Sequence, residues 1–145
     1  MWREMISRIA DSAELCSPAP DAAVMGVEAR FPQELPVNLR QLLNETNGVM
    51  DEYGTEIIWS AERILQDNVA FRSEASFREL YMSFDELLFF GDNGGGDQFA
   101  FVRSPRREDV FVWEHETDSR NWVASSLEDY IERSLGSEGE DWYRS

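Results

Sequence analysis

Lysine is absent from this 145-residue chain, and cysteine and histidine occur once each. Cys16 has no intrachain partner for a disulfide, and His115 alone cannot build a multi-histidine metal site, so stability must come from a packed core. Cations are scarce altogether. Thirteen basic residues, all Arg, face 29 acidic ones, for a formal net charge of −16 and an isoelectric point near 4.3. The use of Arg alone suits bidentate pairing, but codon bias explains it more simply. A protein that neutralises nucleic-acid phosphates needs a basic stripe. Here only Arg103, Arg106 and Arg107 cluster, so nucleic acid is not expected as a partner. No apolar run approaches the roughly 18–20 residues needed to span a bilayer. The first ten residues mix charges with apolar positions, unlike the continuous core of a secretory signal. A cytoplasmic protein with no membrane partner is expected.

What is present suffices for folding. Hydrophobic residues make up 42% of the chain and five are Trp, and a globule of this length buries about 70% of its extended-chain surface. A single domain over 1–145 is expected. Trp2, Met5, Ile6 and Ile9 recur at helical spacing, predicting a first helix within about 1–13. Asp21 is placed to cap a second helix, which Pro32 stops. Pro36 suits the first turn of a third, with Leu39, Leu42 and Leu43 on its apolar face and Asn47-Gly48 at its end. Residues 55–59 read as a short strand, followed by Ser60 as the cap of a helix carrying Ile64, Leu65 and Val69.

The second half changes character. Two apolar runs flank the glycine-rich segment 91–97 and predict a β-hairpin. Residues 109–113 and 121–124 read as two more strands; Trp113 and Trp122 on them are expected to pair across the sheet in the core, the alternative being a place at an interface, where Trp is enriched. Ser125 or Ser126 then caps a closing helix bearing Leu127, Tyr130, Ile131 and Leu135. The acidic tail, 137–145, is expected to be mobile unless Trp142 and Tyr143 dock it. Helices gathered before and after a run of hairpin-spaced strands predict an α+β fold, with helices packed on a mostly antiparallel sheet of about four to six strands.

Reactive chemistry is hard to assemble from this inventory. The glycine-rich turn leads into a strand rather than a helix and carries Asp92 and Asp97, which would repel a phosphate. Its oxygens lack the alternation of a calcium loop. His115 lies between Glu114 and Glu116, but no nucleophile motif accompanies it. A hydrolase using Asp92, Asp97 and His115 is therefore a minor reading. Neither a cofactor nor a metal is expected.

The order of the signals is itself informative. Leu35-Pro36 opens a helix that ends at Asn47-Gly48. Then come the hairpin Leu88-Phe-Phe-Gly-Asp-Asn-Gly-Gly-Gly-Asp97, the strand end Val112-Trp113-Glu-His-Glu116, and Trp122-Val-Ala-Ser-Ser-Leu127 before a last helix. Together these resemble the SUKH superfamily, the Smi/Knr family, from about Asp21 to Leu135, with Glu28 where that family places a glutamate. The first helix and the tail lie outside the resemblance. It implies an α+β fold without catalytic activity; bacterial members look like immunity proteins that bind a toxin, often a nuclease, and eukaryotic members look like signalling scaffolds.

An immunity-type reading places the binding surface on loop carboxylates: Asp51 and Glu52, Asp92 and Asp97 on the hairpin turn, and Glu114, Glu116 and Asp118 after the third strand. The expected partner is a cationic toxin domain, met by complementary potential. Reversing the charge of Asp92 and Glu116 is expected to slow binding without loss of stability. The alternative is a scaffold domain with a cellular, non-toxin partner. Oligomeric state is left open.

Overall fold

A computed structural model of the chain describes residues 1–31, 34–103 and 105–144. Pro32, expected to stop the second helix, lies outside the described residues. The chain runs α1 (Trp2–Ile9), β1 (Glu14–Leu15), α2 (Asp21–Arg30), α3 (Val37–Glu45), β2 (Val49–Met50), β3 (Glu56–Ile58), α4 (Ala61–Ser73) and α5 (Ala75–Leu80). It continues with β4 (Leu87–Asp92), β5 (Gln98–Arg103), β6 (Arg106–Glu114), β7 (Ser119–Ala124) and α6 (Leu127–Gly136). This is the α+β plan, with one difference. The strands form two antiparallel sheets, β1-β2-β3 and β4-β5-β6-β7, rather than one.

A bulge explains how the sheets meet. Phe89 pairs with Ala100 and Gly91 with Phe99, so Phe90 is an extra residue in β4. Its carbonyl is turned out of the ladder and accepts the Trp59 N–H at 2.7 Å. Gly91 permits that approach: a Cβ there would lie 1.9 Å from the Ile57 carbonyl oxygen.

Helical spacing located the core correctly. Trp2, Met5 and Ile6 of α1 and Leu39, Leu42 and Leu43 of α3 are buried, as are Leu127, Tyr130 and Ile131 of α6. Ser60 caps α4 by accepting the Arg63 N–H, and Ser126 caps α6 through the Asp129 N–H. In return, the Asp129 carboxylate accepts the Ser125 N–H. Mid-helix Asn68 pins α4 to β4, donating to the Phe89 carbonyl at 2.8 Å and accepting the Phe89 N–H at 2.8 Å.

Other local expectations need correction. Asp21 opens α2 from inside its first turn, because Pro20 occupies the cap position. Pro36 likewise caps α3. Gly48 does take a positive φ, but three residues beyond the end of α3, where it approaches the Ile58 carbonyl. Trp113 faces Arg120 in the β6–β7 register, and Trp122 faces Phe111, so the two tryptophans are not partners.

The four-stranded sheet is covered unequally. On one face α6 lays Tyr130 against Phe90 and Phe99. On the other, Phe71, Tyr81 and Phe84 pack around Phe89 and Trp113 in mostly edge-to-face pairs at 4.8–6.0 Å. That cover reaches β7 only at Arg120, whose guanidinium lies 4.7 Å from the Phe84 ring centroid.

Candidate functional site

In an antiparallel meander, alternate turns share an end of the sheet. The β4–β5 and β6–β7 turns therefore lie together, and the β2–β3 turn joins them because β3 runs beside β4. A Cβ on Gly94 would sit 3.2 Å from Thr55 Oγ1. Most of the loop carboxylates singled out in the sequence thus come to one end of the molecule, although the structure divides them by task.

Asp97 is the most constrained. Its side chain has no exposed surface. One oxygen accepts the His115 N–H at 3.1 Å and meets His115 Nδ1 at 2.6 Å. The other accepts Tyr143 Oη–H at 2.7 Å and Arg144 Nη2–H at 2.5 Å. Burial by itself would raise its pKa, but the hydrogen bonds from Tyr143, His115 and Arg144 outweigh burial and hold it below the usual carboxylate value. Asp97 is therefore a correction to the expected surface: it is an internal anchor with nothing to offer a partner.

The anchor docks the tail. Trp142 stacks on Phe99 with centroids 5.6 Å apart and planes 5° from parallel, and Asn93 Nδ2 donates to Tyr143 Oη at 2.5 Å. The tail is thus held on the sheet end, bringing Glu138, Glu140 and Asp141 to it. Gly139 lies against the Tyr53 ring, which links the tail to the β2–β3 turn.

Asp92 and Asp118 are also largely occupied. Asp92 accepts Trp59 Nε1–H at 2.8 Å and the Gly94 N–H at 2.7 Å, and pairs with Arg63 Nη2 at 3.0 Å. Reversing its charge would therefore cost stability, contrary to the sequence-based expectation. Asp118, at positive φ, accepts the Met82 N–H at 3.0 Å, Trp113 Nε1–H at 2.7 Å and Arg120 Nη2–H at 3.2 Å. Asp51 closes its own turn through the Tyr53 and Thr55 N–H groups, both at 2.9 Å. Glu114 lies between Asn121 and Arg144.

Glu52 and Glu116 are exposed, and so are Glu138, Glu140 and Asp141 of the tail. Arg63 and Arg144 at this end are paired with carboxylates, Arg63 with Glu56, Asp67 and Asp92, and Arg144 with Asp97, Glu114 and Asp141. Tyr53 stands 59% exposed among these carboxylates. A hydrogen bond donated to the Glu52 carboxylate, then burial and the charges of Glu52, Glu138 and Asp51, raise its pKa. Sequence reasoning overlooked Tyr53 and the tail carboxylates; the signal for the latter was Trp142-Tyr143, an aromatic pair too apolar for a free tail.

Among the described residues, no cluster of His, Cys, Asp and Glu has the arrangement of a metal site, and no helix is long and apolar enough to cross a membrane.

The model of the SUKH group described as SMI1-KNR4 cell-wall matches residues 21–131. That span covers most of the chain, takes in the hairpin turns and the Asp97 anchor, and leaves α1 and the tail outside. The chain belongs to the SUKH family. Membership supports a protein-interaction module of immunity type. No curated protein matches the chain.

Proposed function

We propose that this protein neutralises a cationic protein, in the first instance a nuclease-type toxin domain, by laying its acidic turn end over the basic cleft, and that it catalyses nothing itself. The observation that carries this reading is convergence: the β2–β3 turn, the β6–β7 turn and the docked tail, distant in sequence, expose Glu52, Glu116, Glu138 and Glu140 at one end, where Arg63 and Arg144 are already paired with carboxylates. Clustered charge of one sign steers association and can raise on-rates by about 10–10³-fold. Asp51, Asp92, Asp97, Glu114 and Asp118 serve that surface by holding the turns in place. Tyr53 supplies an aromatic of the kind enriched at binding hot spots.

The test uses the basic domain of a secreted protein encoded beside this gene, prepared as an inactive variant. Stopped-flow association is expected to fall at least about tenfold when Glu52→Lys is combined with Glu116→Lys, with thermal stability unchanged. A neighbouring gene that encodes no such domain, or an on-rate indifferent to both reversals, overturns the proposal.

A further inference from the structure

One row of side chains crosses all four strands of the larger sheet on a single face. Phe89 faces Ala100, Ala100 faces Phe111, and Phe111 faces Trp122. The row begins in the core and ends in water: Phe89 is fully buried and Trp122 is 51% exposed. Ala100 is the one small member, and the space above it is a hollow of about 210 Å³ walled by Leu87, Val102, Phe111 and Trp113. The aromatic cover from α4, α5 and Phe84 stops at Trp113, where Arg120 clamps the 82–83 segment by donating to the Met82 and Ser83 carbonyls at 2.7 Å each. Beyond that clamp, nothing in the described chain closes the hollow.

An apolar knob thus stands beside an apolar hole on one face, the arrangement a two-fold axis makes self-complementary. The charges around it agree. Glu86 and Arg120 flank the hollow, while Arg107 pairs with Asp109 at 2.6 Å and lies 5.3 Å from the Phe111 ring centroid. Arg120 is in turn paired with Asp118 at 3.2 Å, so the two arginines are matched by Asp109 and Asp118 and only Glu86 is left over, a nearly balanced rim in a chain of net charge −16. A second copy is repelled by the acidic turn end and meets little net charge here. A strongly cationic partner, by contrast, gains nothing from a balanced rim.

We propose that this face is a self-association surface, on which two copies pack so that Trp122 of each enters the other's Ala100-floored hollow. Such a hollow accepts one large aromatic side chain, which buries about 150–250 Å². The contact is small against the about 800 Å² per partner of stable complexes, so the dimer is reversible. Its salt response is opposite to that of a cationic complex. Added salt screens the repulsion between two acidic bodies and tightens the dimer, because the contact itself is apolar.

Sedimentation of the full chain across the micromolar to millimolar range, at low salt and at about 0.5 M salt, tests this. A monomer–dimer equilibrium that tightens with salt is expected. Trp122→Ser should weaken it at least about tenfold, the size of a hot-spot loss. Ala100→Leu, which fills the hollow, should weaken it similarly. Trp122 is exposed, so its replacement leaves the monomer folded and keeps the test valid if Ala100→Leu misfolds. A chain that remains monomeric throughout, a dimer indifferent to Trp122→Ser, or a dimer that loosens in salt overturns the proposal. So does β7 amide protection that appears only when a different protein is added.

Discussion

The turn end and the open sheet face are built from the same two hairpins, yet they use their side chains oppositely. At the turn end, Asp51, Asp92, Asp97 and Asp118 turn inward to backbone N–H groups, indole N–H groups and arginines. On the sheet face, the row from Phe89 to Trp122 passes from core to solvent with its hollow unfilled. The difference teaches that a carboxylate count is a poor map of a charged surface. The rigid part of the acidic end consists of acids engaged within the chain, and the field it presents comes from the few that remain: Glu52, Glu116 and the tail. The open face, with few formal charges, keeps its large groups available.

Substitutions can break this comparison at graded cost. Gly91→Ala should do most damage, since its Cβ would overlap the Ile57 carbonyl that the bulge brings close. A loss of about 3 kcal/mol or more is expected in urea unfolding. Separation of the β2–β3 turn from the β4–β5 turn should appear as faster hydrogen exchange at residues 51–58.

Asp97→Ala comes next. It strips the acceptor from His115, Tyr143 and Arg144, and hydrogen bonds to a charged group are worth about 1.5–3 kcal/mol. A destabilisation of about 2–3 kcal/mol is expected, with the tail amides losing protection. Unchanged protection of residues 140–144 would mean that aromatic stacking alone docks the tail.

Acid should reveal the same anchor. Asp97 and Asp118 are held below the ordinary carboxylate value because their hydrogen bonds outweigh burial. The unfolded chain therefore binds protons more readily than the folded one. Their stabilising contribution is complete above the unfolded-state value near 4 and is lost as pH falls through the lower folded values. Unfolding free energy should decline below about pH 4, and Asp97→Asn should flatten that slope. The smallest effect belongs to the other region: Trp122→Ser, which gives up the cross-strand contact with Phe111, should change monomer stability by about 1 kcal/mol in urea titration at low protein concentration.

Much of the fold was legible because its signals are local and strong. The glycine-rich cluster between two apolar runs specified the β4–β5 hairpin, and Ser60 and Ser126 were readable as caps. Strands β1 and β2 have two residues each, too short for any alternation to register, and the six-residue α5 offers less than two turns. The division into two sheets depends on one bulge at Phe90 and one close approach at Gly91, both set by tertiary packing. For the site, chain order sufficed to name the turns. It could not distinguish the buried Asp97 from the exposed Glu116, since that distinction depends on Tyr143 and Arg144, almost 50 positions away.

The central claim, that the exposed carboxylates of the turn end steer a cationic partner, is tested most directly by the association rate constant with the neighbour-encoded basic domain as ionic strength is raised. The account predicts a steep fall with salt, and the slope should shrink when Glu52 and Glu116 are both replaced by Lys. A rate constant that is flat in salt, or a slope that the double reversal leaves intact, would contradict it.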